Sequence, residues 1–482
     1  MSRPESRFQL RAVSPEGEGP SPPGWWASVR EAVTGTQQDF TEGSLGRAIM
    51  LLSVPMVIEM LMQSVFELAD IFFVSRLGAE AVAAVGITAS LLIFVFAIGL
   101  GLSMATTAMV ARRMGEGNPQ AAARTAYQAI VLAVIVSIPL AVAGAIFAPD
   151  LLRLMGASER VVDIGTTYCR VALGSNATIL LLFLINAVFR GAGDAVAAMR
   201  ALGLANLLNI VLDPLLIFGL GVIPEMGVTG AAVATAIGRA VGVGYQISVL
   251  VRGTGRLRLG RESLHFDVAV AKRMLRISGP GVVQYLVGSA SWIMIIRLIA
   301  VFGSAAVAGY TIGVRVIIFA LLPSWGMGNA AATLVGQNLG ARKPERAERA
   351  VWIASIANAA FLSVVAVGLL IFARPVMHLF TNDPAVVEVG AELLRYIAYS
   401  YPFFALGMVM VQAFNGAGDT VTPTWINLFC YWLIQIPLAY LLAHPLGFGA
   451  EGIFIGIAVA QVIFAFVGIW VFRKGWWKAK VV

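Results

Sequence analysis

The stretch VGITASLLIFVFAIGLGLSMATTAMVA, Val85 to Ala111, contains no charged residue and decides the class of fold. As a helix it reaches roughly 40 Å at 1.5 Å per residue, enough to cross a bilayer core of about 30 Å with some tilt. A barrel strand needs only about ten residues and strict alternation, which this stretch lacks. Similar runs, punctuated by Gly, Pro and basic residues, recur at 48–75, 122–148, 162–189, 196–221, 228–251, 274–300, 306–334, 349–373, 388–413, 421–443 and 449–472. The pattern predicts an all-α integral membrane protein with twelve transmembrane helices.

Composition excludes the soluble alternatives. Of 482 residues, 12% are charged, against about 25% in a soluble protein, and 59% are apolar. With a mean hydropathy of +0.84, the chain has more apolar surface than a water-soluble fold of this length buries. Cys169 and Cys430 lie far apart inside apolar runs, and His265, His378 and His444 are isolated. No disulfide framework, zinc spacing or nucleophile–base pair follows from them, so neither a cofactor nor enzymatic chemistry is expected.

Residues 1–44 differ from the rest. Pro, Gly, Ser and charges dominate, as in Ser14-Pro15-Glu16-Gly17-Glu18-Gly19-Pro20-Ser21-Pro22-Pro23, and a disordered tail without a cleavable leader is expected. Trp25-Trp26 and Trp476-Trp477 suit the headgroup level of a membrane. With the N-terminus inside, cytoplasmic connections hold twenty Lys and Arg, including Arg112, Arg190, Arg342 and Lys343; the opposite connections hold Arg76, Arg153, Arg160 and Arg374. This bias predicts cytoplasmic termini, and a bacterial inner-membrane location is expected. It also accounts for the net charge of +8 through anionic lipid rather than nucleic acid.

A shift of 225 residues superimposes the first half on the second. Ser53 and Pro55 fall on Ser278 and Pro280, Gly78 on Gly303, Ala81-Val82-Ala83 on Ala306-Val307-Ala308, Gly115 on Gly340, and Pro119 on Pro344. Phe189-x-Gly191-Ala192-Gly193-Asp194 falls on Phe414-x-Gly416-Ala417-Gly418-Asp419. Two six-helix lobes related by an axis along the membrane normal follow, with a cleft between them of the kind that rocking bundles use for alternating access. The expected division is a tail to 44, a first lobe over 45–252, a linker over 253–272, a second lobe over 273–473 and a tail over 474–482.

Pro55-x14-Asp70 with Leu77-Gly78 and Ala81-x-Ala83-Ala84-Val85-Gly86 resembles the opening of multidrug and toxic compound extrusion (MATE) transporters. Gly336-Gln337-Asn338-Leu339-Gly340-Ala341 and the two Gly-Ala-Gly-Asp turns resemble that family's interhelical connections. The resemblance covers about residues 44–472. It implies a secondary antiporter, driven by sodium or protons, that exports cationic or amphipathic organic compounds, and a monomer is expected.

Ionisable groups inside a span are functional candidates because burying an unpaired charge in hydrocarbon is costly. Glu59, Gln63, Glu67 and Asp70 point to roughly 0°, 40°, 80° and 20° around the first helix and form one polar stripe. Glu59, Gln63 and Glu67 read either as substrate or cleft contacts or as a helix-packing network. Asp70 lies ~9 Å, and Asp213 and Thr235 ~12 Å, from the outer surface, so three helices offer oxygens at similar depth. Asn209 stands one turn from Asp213, and Pro214 frees a backbone carbonyl or kinks the helix. The set matches the DinF-like branch of the family, which implies a cation site of Asp70, Asn209, Asp213 and Thr235. On the repeat, Gln284, Trp292 and Ile295 replace Glu59, Glu67 and Asp70, so the second lobe is expected to lack the acids. The rival within transport is a flippase of lipid-linked or polysaccharide precursors, which needs several cations in the cleft. The rival outside transport, an intramembrane enzyme, needs a catalytic pair that the sequence does not supply.

Overall fold

The computed structural model describes residues 25–36, 38–221 and 223–482. Among the described residues, twelve helices are long and apolar enough to cross a membrane. The first six are α1 (Leu45–Ser75), α2 (Ala79–Gly115), α3 (Pro119–Leu154), α4 (Glu159–Ala192), α5 (Ala195–Phe218) and α6 (Val228–Arg252). The second six are α7 (Val268–Phe302), α8 (Ser304–Gly340), α9 (Pro344–His378), α10 (Pro384–Gly416), α11 (Val421–Ala443) and α12 (Gly449–Arg473). Among the described residues there is no strand, only an isolated bridge between Leu220 and Ile223. Large apolar side chains such as Ile135, Ile138, Val142 and Ile146 on α3 are exposed, as suits a helix solvated by lipid.

The repeat extends to backbone conformation. Gly78 and Gly303 precede α2 and α8 with φ of 102° and 97°, and Gly193 and Gly418 close the Gly-Ala-Gly-Asp turns with 81° and 83°. Gly117 (φ 69°) is matched by Arg342 (φ 58°), a left-handed position that the second half fills with a side chain. Asp194 and Asp419 then cap α5 and α11, accepting from the Ala197 amide at 3.2 Å and the Thr422 amide at 3.3 Å.

Each lobe has its own packing, with α2 against α4 and α5 along α6 in the first, and α8, α9 and α12 around α10 in the second. Between lobes, α1 lies along α8, and α2 lies along α7 and α8. Small residues set the approach. A Cβ on Gly101 would meet the Val282 side chain at 2.6 Å, and one on Gly326 the Val57 backbone at 2.9 Å. Towards the end that carries both termini the helices close further: a Cβ on Gly115 would stand 1.9 Å from the Gln337 carbonyl oxygen, and one on Gly340 2.1 Å from that of Arg112. The lobes are therefore pressed together through the terminal-side portions of α1, α2, α7 and α8.

Several expectations need correction. Residues 1–24 lie outside the described residues, but Trp25–Thr34 is a helix, tied to α1 by the Glu31–Arg47 ion pair at 2.5 Å. Residues 38–44 then pack with Phe40 fully buried. The Pro- and Gly-rich composition upstream hid this pattern. The 474–482 segment is not a free tail: Trp477 is 1% exposed and stacks on Phe472, so it does not sit at the headgroups. Helix α7 starts at Val268, before the expected 273, because Asp267 Oδ1 accepts from the Ala269 and Val270 amides and caps it. Helix α4 breaks at Ser175, and α11 carries a π-helical stretch, Leu428–Gln435.

Candidate functional site

The residues that resemble a cation site gather where α1, α5 and α6 meet. Helix α6 presents Gly230, Ala234, Gly238 and Gly242 at four-residue spacing, which lets two backbones approach. A Cβ on Gly238 would lie 2.6 Å from the Ala205 carbonyl oxygen and 3.3 Å from Asn209 Cβ. This proximity brings Thr235 to α5, where Asn209 Nδ2 donates to Thr235 Oγ1 at 3.0 Å and to Asp213 Oδ1 at 3.3 Å. Asp213 is fully buried and Asn209 nearly so. Both have an oxygen left over, since Asp213 Oδ2 and Asn209 Oδ1 are buried without a hydrogen-bond partner. Unpaired buried acceptors are costly, and a carboxylate, an amide oxygen and a hydroxyl are hard donors that suit a proton or sodium rather than a soft metal.

Asp70, half-buried on α1, lies within electrostatic range of Asp213, of Arg239 on α6 and of Tyr168 on α4. Thus the structure brings Asp70, Asn209, Asp213 and Thr235 to one region, and adds two groups. Arg239 lies within the α6 span, where the sequence offers no motif that ties it to Asp70. Tyr168 gave no signal, being a lone phenol between Thr167 and Cys169 with no motif around it. Helix α5 ends at Phe218 rather than 221, so Asp213 is nearer its helix end than the sequence depth implies.

The polar stripe of α1 divides. Glu59, 1% exposed, turns into the first lobe, where Arg190 Nη1 and Asn186 Nδ2 both donate to its Oε1 at 3.2 Å. Gln246 Nε2 donates in turn to Asn186 Oδ1 at 2.6 Å. This is the helix-packing alternative, and it takes Glu59 away from an open cleft. Arg190, counted among the loop cations, points inward, where its guanidinium reaches Glu59 of α1. Gln63 Nε2 instead donates to Glu67 Oε1 at 3.1 Å, and Glu67 is exposed. Gln63, Phe66, Leu182, Leu202, Asn206 and Arg239 are among the residues that line a cavity of ≈ 40 Å³.

In the second lobe Gln284 is buried, Trp292 is partly exposed and Ile295 is buried, so the α1 stripe has no acidic counterpart. The lobe as a whole is not free of acids, however. Glu392 on α10 and Glu451 on α12 interact, with Tyr396 donating to Glu451. Glu451 stands at the start of α12, whereas Glu392 lies eight residues into α10, and neither falls on the repeat of the α1 stripe that pointed to the acids of the first lobe.

Twelve spans in two repeated lobes, with polar side chains buried between helices, define a membrane transporter. The family model for MatE matches residues 55–215 and 269–441, one segment in each lobe. A probable multidrug resistance protein NorM of Thermotoga maritima is 28% identical over 439 residues, covering 90% of this chain and 94% of that protein. A FAD transporter of Shewanella oneidensis is 27% identical over 422 residues, covering 87% and 92%. A crystal structure of MATE in complex with MaL6 superposes with a TM-score of 0.86 at 28% identity, covering 92% of this chain and 99% of that one. The chain belongs to the MatE family and is a transporter, not an enzyme.

Proposed function

We propose that the chain is a secondary active antiporter that exports cationic or amphipathic organic compounds in exchange for a proton or sodium. It would act as a monomer in a bacterial inner membrane with both termini in the cytoplasm. The observation that carries the coupling is the pair of unpartnered buried oxygens, Asn209 Oδ1 and Asp213 Oδ2, within electrostatic range of the Asp70 carboxylate. Two carboxylates in a low-dielectric bundle repel one another, and a proton or sodium bound among Asp70, Asn209, Asp213 and Thr235 offsets both repulsion and desolvation. A cation bound there stabilises one packing of the first lobe over another, and a cationic cargo that prefers the other packing is driven out in exchange.

Asp70→Asn and Asp213→Asn keep side-chain shape but hold the charge at neutral. Each should lower gradient-driven efflux of a cationic dye at least tenfold in inverted vesicles at matched expression. Imposing sodium and pH gradients separately identifies the coupling ion. Wild-type efflux in both variants would remove this mechanism. A second reading, an anionic cargo, is favoured by Arg239 at the internal cavity and by a relative named for FAD. In that case FAD, rather than the dye, should compete for export.

A further inference from the structure

The two Gly-Ala-Gly-Asp turns, one per lobe, are each filled by a segment from outside the twelve spans. In the first lobe a Cβ on Gly193 would stand 2.8 Å from the Phe40 ring, so only glycine leaves room for it. The Arg256 guanidinium lies over that ring at 4.9 Å, close to the same glycine, and donates to the Gln38 carbonyl at 2.7 Å and the Gly193 carbonyl at 3.3 Å. Asp39 Oδ1 accepts from both the amide and the hydroxyl of Thr41 at 2.8 Å and shapes the segment into a turn. In the second lobe a Cβ on Gly418 would stand 2.6 Å from Val482 Cγ2, and Lys480 Nζ pairs with Asp419 at 3.2 Å.

Each segment then crosses to the other lobe. The carbonyls that follow Asp39 are held by second-lobe groups at the α8–α9 connection: Lys343 Nζ donates to Thr41 at 3.1 Å, and Arg346 donates to Glu42 at 2.7 Å and Gly43 at 2.9 Å. Conversely, first-lobe Arg112 on α2 donates to the Lys480 carbonyl at 2.6 Å, and Val482 joins the first lobe's apolar cluster. On the 225-residue repeat the two arrangements correspond, since each runs from a turn in one lobe to the end of α2 or α8 in the other. Between them lie direct bonds across the lobes, from Thr333 to the Arg190 carbonyl at 3.1 Å and from Gln337 to the Gly191 carbonyl at 2.9 Å.

We infer that segments 38–43 and 477–482 are paired straps that hold the termini end of the cleft shut, and that both must leave their partners in the opposite lobe before this end opens. The inference rests on the transport reading, because only a transporter needs this end to open. Charged donors on backbone carbonyls suit such a device. They are directional, so separation of the lobes breaks them together, and water re-solvates both partners once they part.

Spin labels at Gln120→Cys and Glu345→Cys test it. These positions are exposed, correspond on the repeat and lie outside both straps, while Cys169 and Cys430 are buried. Distances are measured on the full chain in lipid nanodiscs. The parent should show mainly a short separation. Phe40→Ala, Val482→Glu and Arg346→Gln should each raise the long-separation population at least threefold. Arg346 is partly exposed, so its variant retains the fold if Phe40→Ala does not. Unchanged distances in the folded Arg346→Gln and Val482→Glu proteins would overturn the proposal. The readout needs no substrate, so missing dye efflux in the parent counts against the transport reading without altering this result.

Discussion

Glu59 and Arg190 form an ion pair removed from water, with side chains 2% and 12% exposed. Bringing such charges together gains little over apolar packing, but removing one partner strands the other. Glu59→Ala should therefore destabilise the protein by about 3–5 kcal/mol in a detergent denaturation series. Glu59→Gln combined with Arg190→Met should recover most of that loss, because it leaves no buried charge. A double variant no more stable than Glu59→Ala would show that the pair has a role beyond mutual neutralisation. The sequence placed Glu59 on a polar stripe correctly, yet its partner could not be read there. Arg190 follows the end of an apolar run, and only its side-chain contact with Glu59 of α1 reveals that it turns inward. Asn209, Asp213 and Thr235 were easier. Spacing within α5 and depth along α6 are local quantities, and a hydrogen bond of 3.0 Å between the two helices needs little more than their adjacency.

The approach of α6 to α5 positions the candidate cation site. The Ala205 carbonyl oxygen lies where a Gly238 side chain would be, so Gly238→Val should push α6 outward and separate Thr235 from Asn209. Overpacking of this kind costs about 1–3 kcal/mol, and coupled efflux should fall at least tenfold while uncoupled dye binding persists. Equal loss of binding and coupling would instead indicate general damage to the lobe. The existence of the twelve helices was legible from uncharged length alone, because hydrocarbon requires every backbone bond to close within its own helix. Their irregularities were not. The break at Ser175 falls in Gly174-Ser175-Asn176-Ala177-Thr178, a polar interruption of its run, whereas the π-helical Leu428–Gln435 lies in an apolar stretch and depends on what packs alongside.

For the whole molecule, the asymmetry of Lys and Arg fixes the expected orientation, and this is open to direct test. A membrane-impermeant maleimide should label Glu345→Cys in inverted vesicles and leave it unlabelled in intact cells, with the buried Cys169 and Cys430 silent in both. Labelling in intact cells would reverse the orientation and with it the direction of transport. The sequence by itself determined the membrane class, the number of spans and the two-lobe repeat. These follow from composition, periodicity and a constant offset, each of which is written along one chain. The tertiary structure decided which polar groups are partnered, which leave an oxygen free, and how segments 38–43 and 477–482 bridge the lobes. Those outcomes depend on contacts between residues hundreds of positions apart, such as Arg112 with Lys480 and Arg346 with Glu42. A charged side chain reads as solvated until the fold supplies a partner, and that partner is set by helix packing, which no single stretch of sequence contains.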